Sequence, residues 1–169
     1  KSKGSKDAEI EQKSMYWEAE TLFRLENYED AVAKFLVAKR FLSTNKEEFS
    51  LMNYNIGYSY FKLKNYTKAI DAFTQFLAEN HADQSINNDA LVRLGDSYFA
   101  TRNYEDAINS YQTVVRNSAT DADYAEYQIG MSYGFRDENS DKIKALTKVV
   151  NDYKTSSLKD DALFQLANT

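Results

Sequence analysis

Small and apolar residues recur along this chain in a helical rhythm that itself repeats. In GDSYFATRNYEDAINSYQTVV a small residue, Gly95, is followed three places on by Tyr98, then by Asn103-Tyr104, a second small residue at Ala107 and an aromatic at Tyr111. Upstream the same frame gives Gly57, Tyr60, Asn65-Tyr66, Ala69 and Phe73, and before that Ala19, Leu22, Asn27-Tyr28, Ala31 and Phe35. A weaker copy follows with Gly130, Tyr133, Lys142 and Leu146, and a last start falls at Ala167. Successive starts lie 38, 38, 35 and 37 residues apart. Self-similarity at this period predicts a solenoid of stacked units.

The spacing has a physical reason. Two small residues twelve places apart, one in each helix of a pair, let antiparallel helices cross closely. The aromatic four places further on fills the space beside the crossing. Lys142 stands at the second small position in the fourth copy, which disfavours a close crossing there. Asn27, Asn65 and Asn103 are expected at the turns, because Asn tolerates the left-handed conformation that ends a helix. The pattern predicts helices over residues 7–25, 28–42, from about 45 to 64, 66–80, from about 85 to Asn103, from there to 117, up to 135, to 153, and 158–168. Expected caps are Thr44 or Asn45 (with Glu47 and Glu48 in the first turn), Ser85 or Asn87, and Ser140 or Asp141. Residues 1–6 are basic, lack apolar side chains and are expected to be disordered. Residues 7–169 form one array, with repeats at about 12–49, 50–87, 88–122 and 123–159 and a partial repeat or capping helix at 160–169. The start without Met and the end inside a new repeat suggest a piece of a longer protein.

A second apolar stripe shares these helices. At about 100° per residue, Tyr54, Tyr58 and Phe61 point within about 60° of one another and roughly 110° away from the packing stripe of Asn53, Ile56, Gly57 and Tyr60. One stripe packs the stack; the other faces elsewhere.

The residues Leu94-Gly95, Tyr98, Ala107 and Tyr111, with Ile56-Gly57, Tyr60, Ala69 and Phe73, and Ala19, Ala31 and Phe35, resemble the tetratricopeptide repeat family. The resemblance covers about residues 15–169. It departs from the family in its longer links, in lacking any Pro, in Glu18 where later copies have Ile56, Leu94 and Ile129, and in Lys142. It implies an all-α, right-handed α-solenoid of stacked antiparallel helix pairs. It also implies that the second stripe lines a concave groove. In frame those positions are Tyr16 and Phe23; Tyr54, Tyr58 and Phe61; Val92 and Phe99; Tyr124, Tyr127, Met131 and Phe135; and Phe164. These rings either pack on one another or receive a helix or an extended apolar segment of a protein partner, since a contiguous exposed aromatic surface marks an interaction site. Some family members grip chaperone C-termini with a two-carboxylate clamp. Of its five positions, Asn55 and Arg93 are compatible here, whereas Tyr16, Glu20 and Asp89 are not. The phrases NNDALVRLG and KDDALFQLA also look like tetratricopeptide proteins of the bacterial cell envelope, outer-membrane assembly lipoproteins and the Tol–Pal accessory protein among them. A periplasmic or envelope location is therefore the expectation, with cytoplasm the alternative.

Composition narrows the chemistry. Among the 169 residues, 43% are hydrophobic and 28% charged, as in a soluble globular chain, but 13 Tyr and 10 Phe are many. A formal net charge of −5 disfavours nucleic acid or an anionic membrane as partner. No cysteine means no disulfide and no thiolate metal site. No apolar run is long enough to span a membrane. The one histidine, His81, lies in a link and has no partner base. There is no G-x-S-x-G and no phosphate-binding glycine loop. Asp137, Asn139 and Asp141 imitate the start of an EF-hand, but Lys142 and Lys148 occupy the positions that need Gly and Glu, so a capped polar turn is expected and no metal. Asn65-Tyr66-Thr67 fits a glycosylation sequon, relevant only to a secreted eukaryotic protein. No catalytic residue and no cofactor are expected. The leading function is a non-enzymatic interaction scaffold; the alternatives are a spacer in a longer solenoid and an accessory domain of an enzyme.

Overall fold

The computed structural model describes residues 3–42, 49–79, 83–117 and 120–169, with side chains from Ile10 onward. All regular structure among them is helical, and it falls into two compact units, Lys1–Ala82 and Asp83–Thr169. The first holds α1 (Lys3–Arg24), α2 (Tyr28–Ala38), α3 (Met52–Lys62) and α4 (Tyr66–Ala78). The second holds α5 (Gln84–Ala100), α6 (Tyr104–Arg116), α7 (Ala122–Phe135), α8 (Asn139–Asp152) and α9 (Lys159–Ala167). Within each unit every helix packs against the next, so hairpins stack on hairpins.

The cores follow the repeat. In the first unit Ala19, Ala31 and Phe35 meet Phe49, Met52 and Ile56. In the second, Ala107, Tyr111 and Val114 meet Ala125 and Ile129, while Leu146 and Val149 close on Ala162 of α9. The small residues are required by distance: a Cβ on Gly95 would lie 2.6 Å from the Tyr111 ring, and one on Gly130 2.8 Å from Leu146.

Four turns join the two helices of the hairpins, and each closes in the same way. Glu26, Lys64, Arg102 and Asp137 are the left-handed residues, with φ of 59°, 57°, 64° and 60°. The amide of each bonds back to Phe23, Phe61, Phe99 or Gly134, and the next amide bonds to Leu22, Tyr60, Tyr98 or Tyr133. This pair of bonds satisfies the helix's last carbonyls. The left-handed residue therefore precedes the Asn expected to occupy it. Asn27, Asn65 and Asn103 instead stand at the N-caps of α2, α4 and α6 with φ near −85°. The carbonyls at the helix end need two consecutive amides, which fixes the left-handed residue one place earlier.

Other ends also differ. α1 opens at Lys3 rather than residue 7 and takes in Lys3 to Lys6. Extending a helix already nucleated downstream costs little, and Lys is a good helix former. Asp83 caps α5 through its carboxylate, which accepts from Ser85 N and Ile86 N at 2.9 and 3.3 Å, in place of Ser85 or Asn87. α8 has Glu138 at its N-cap position, in place of Ser140 or Asp141, with no side-chain cap bond. The candidate caps Thr44 and Asn45, Glu47 and Glu48, and His81 lie outside the described residues.

Lys142 is accommodated without opening its hairpin. α7 has Gly134 where α1, α3 and α5 have Phe23, Phe61 and Phe99. The Lys142 stem lies over it, 3.1 Å from where a Cβ would be. A Phe and Ala pair has been exchanged for Gly and Lys, and the crossing at Gly130 stays close.

Candidate partner-binding site

Each unit builds the same cluster of three rings from the same local grammar. A Phe ends the first helix of a hairpin, the Tyr after the turn Asn starts the second, and an aromatic from the next hairpin leans on both. In the first unit Phe23 and Tyr28 lie 5.9 Å apart, and Tyr58 meets them at 5.7 and 6.3 Å. In the second Phe99 and Tyr104 lie 5.5 Å apart, and Phe135 meets them at 5.4 and 5.3 Å, parallel to Tyr104. Edge-to-face and stacked pairs at these distances are favourable beyond the area they bury. Phe61 and Tyr66 repeat the first two members at 5.8 Å.

The expected face is thus partly packed on itself and partly open. Phe23, Tyr54, Tyr58, Phe61, Phe99, Tyr124, Tyr127 and Met131 are half-buried. Phe135 is 57% exposed and Phe164 67%. Tyr54 stands between Tyr58 and the core rings Phe73 and Phe76. Tyr16 and Val92 are core residues and offer no surface. Tyr16 is enclosed by Phe35 and Phe49 at the end of the first stack, and Val92 by the α6–α7 core. Their place in the frame is right, but the neighbours at those levels of the stack cover them.

Sequence reasoning missed Tyr28 and Tyr104. They were visible as part of each Asn-Tyr pair, but read as turn markers rather than as ring partners. It also missed a polar centre in the second unit. Asp96 Oδ1 accepts from the hydroxyls of Tyr111 at 2.7 Å and Tyr124 at 2.8 Å. Its other oxygen takes Arg93, which also reaches Asp89, both at 3.3 Å. Burial pushes the Asp96 carboxyl above its usual range, against the opposing pull of the two phenols and Arg93. Burial, then the Asp96 charge, push both phenols well above their ordinary value. In the first unit Glu20 likewise accepts from Asn55 at 2.6 Å and Arg24 at 3.0 Å. Lys62 sits over the Tyr58 ring at 5.4 Å, a cation on the open side of that cluster.

Among the described residues, no three His, Cys, Asp or Glu are placed to share a metal ion. Asp137 is the left-handed turn residue, and Asp141 is taken up by Lys144 at 2.8 Å. No described helix is long and apolar enough to cross a membrane.

Known proteins agree with this architecture. Residues 54–122, from α3 to the start of α7, match the family model of the tetratricopeptide repeat. The fold is a tetratricopeptide-repeat solenoid. MamA (residues 41 to the end) from Desulfovibrio magneticus RS-1 superposes with a TM-score of 0.67 at 20% identity, over 83% of this chain and 74% of that one. A putative kinesin light chain of Podosopora anserina with nearly identical TPR-like repeats superposes with a TM-score of 0.67 at 13% identity, over 92% and 83%. At these identities the likeness is one of fold. No curated protein sequence matches the chain. Tetratricopeptide repeats generally mediate protein–protein interaction.

Proposed function

We propose that this chain is a non-enzymatic scaffold whose aromatic face holds an apolar or aromatic-rich segment of a protein partner. The observation that carries this reading is the three-ring cluster present in both units, with Phe135 left 57% exposed although it already touches two rings. Rings fixed by their neighbours lose little entropy on binding, which suits them as anchors. Phe23, Tyr28, Tyr54 and Tyr58 form one contact area, with Phe61 beside it in the first unit, and Phe99, Tyr104 and Phe135 form another, with Tyr127, Met131 and Phe164 in the second unit. An envelope location is part of the proposal, on the likeness of its NNDALVRLG and KDDALFQLA phrases alone.

A displayed peptide library selected against the whole chain tests it. Enriched peptides are expected to carry aromatic or large apolar side chains and to bind with weak salt dependence, because buried apolar area drives the association. Phe135→Ala and Tyr58→Ala are expected to weaken that binding while leaving the helical signal intact. A selection that enriches nothing apolar, or peptides indifferent to both substitutions, leaves the spacer role as the better account.

A further inference from the structure

The second unit has a cavity on the other side of α7. Its floor is Val115 of α6, Ile129 and Tyr133 of α7 and Ala145 of α8, and its volume is about 350 Å³. Glu126, Ile129 and Tyr133 point roughly 160° away from the mean direction of Tyr124, Tyr127 and Met131 around the α7 axis. This site is therefore separate from the aromatic face. The volume is that of a small-ligand pocket.

The first unit shows how the same place is closed. There Lys39 follows α2, eight residues after Ala31, just as Val115 stands eight after Ala107. Its ammonium bonds to Asn53 of α3 and Gln75 of α4, each at 2.6 Å, which ties α2 to α4 across α3. In frame, Asn53 corresponds to Glu126, and Gln75 to Lys148. With Val115 in place of Lys39 the bridge is gone and the space stands open.

The charges around it decide what fits. Glu126 is 2% exposed and is neutralised by Lys148 at 3.2 Å. Asp141 is neutralised by Lys144 at 2.8 Å. Each acid is thus paired with a lysine of α8. Arg116 remains, and its partner is neutral: the guanidinium donates to the Thr113 hydroxyl at 2.6 Å. A guanidinium with no acid partner among the described residues, above an apolar floor, matches a carboxylate on an apolar body. We propose that this cavity binds such a carboxylate, either a free small acid or the C-terminus of a peptide ending in an apolar residue. Arg116 takes the carboxylate, and the half-buried Val115 and Tyr133 take the body.

Amide chemical-shift titration of the whole chain is the test. The probes are phenylacetate, phenylacetamide, acetate, and a tripeptide ending in Leu with a free or an amidated C-terminus. Phenylacetate is expected to bind roughly tenfold more tightly than phenylacetamide, the difference one charge-assisted contact makes, with shifts confined to α6, α7 and α8. Acetate is expected to bind more weakly for want of a body. Arg116→Gln is expected to abolish the preference for acid over amide, and Arg116→Lys to restore part of it. Val115→Phe is expected to block both acids by filling the space, and Tyr58→Ala to change nothing here. If the free-carboxylate tripeptide outbinds phenylacetate, the ligand is a peptide end; if phenylacetate wins, it is a small acid. Equal binding of acid and amide, or no saturable shift with either acid, overturns the proposal.

Discussion

A single methyl group measures how tightly the α5–α6 hairpin closes. Gly95→Ala would place its Cβ 2.6 Å from the Tyr111 ring, and that ring is pinned through its hydroxyl to Asp96 at 2.7 Å. Helix propensity favours Ala by about 1 kcal/mol. The overlap costs about 1–3 kcal/mol or more, because the ring has nowhere to move. The expected outcome is net destabilisation in chemical denaturation, and a stabilised variant would refute the pinned ring. The same network sets a pH dependence. Tyr111 and Tyr124 have folded pKa values above the ordinary 10.0, so the folded state holds these protons when the unfolded chain releases them. Their contribution is complete below about pH 10 and declines above it, by up to about 1.4 kcal/mol per pH unit for each phenol. Tyr124→Phe is expected to cost about 1.5–3 kcal/mol at neutral pH, as for a lost bond to a charged acceptor. It is also expected to flatten the alkaline decline. Denaturation midpoints from pH 8 to about 11 check both. An unchanged alkaline slope in the variant would remove Tyr124 from the network.

At the scale of elements, the exchange across α7 and α8 is testable as a cycle. Gly134→Phe alone sets a ring against the Lys142 stem, and Lys142→Ala alone leaves the space over Gly134 unfilled. Together they restore the Phe and Ala pair of the other hairpins. The double variant is expected to be more stable than the sum of the two single changes, by a coupling of about 0.5–3 kcal/mol. Additive losses in urea denaturation would mean that the two positions do not share one space. This exchange also shows what the sequence could and could not disclose. Helix identity was legible because each copy carries the same small, aromatic and Asn-Tyr markers in one frame. The partner of Lys142 was not, because the frame judged positions singly and Gly134 lies eight residues away. The left-handed residues were hidden for another reason: Glu26, Lys64, Arg102 and Asp137 have no side-chain signature for that conformation, and carbonyl satisfaction alone imposes it. The aromatic face was legible as a stripe, yet burial of Tyr16 and Val92 depends on neighbours above and below. The Asp96 centre joins residues 15 and 28 positions apart, beyond the reach of any helical period.

At the scale of the whole chain, the net charge of −5 and the engagement of polar groups within each unit decide which ligands are refused. A clamp for two carboxylates needs free cations and amides on the aromatic side. Both compatible residues are already committed to acids within their own units. Asn55 donates to Glu20 at 2.6 Å in the first, and Arg93 is shared between Asp89 and Asp96 at 3.3 Å in the second. An incoming carboxylate would have to displace Glu20 in the first unit, or Asp89 and Asp96 in the second, and like charges at short range oppose binding most strongly at low salt. No measurable binding of an acidic chaperone-tail peptide is therefore expected by calorimetry at low salt. An apolar, aromatic-rich peptide is expected to bind with an affinity that hardly changes as salt is raised. Replacing the obstacles sharpens the test. Glu20→Gln with Asp89→Asn lowers the repulsion and frees Arg93 from one of its two acids, so any latent affinity for the acidic tail should surface in that variant first. Micromolar binding by the unmodified chain, lost in Arg93→Ala, would show that Arg93 leaves its acids for a ligand and that binding depends on charge rather than apolar surface.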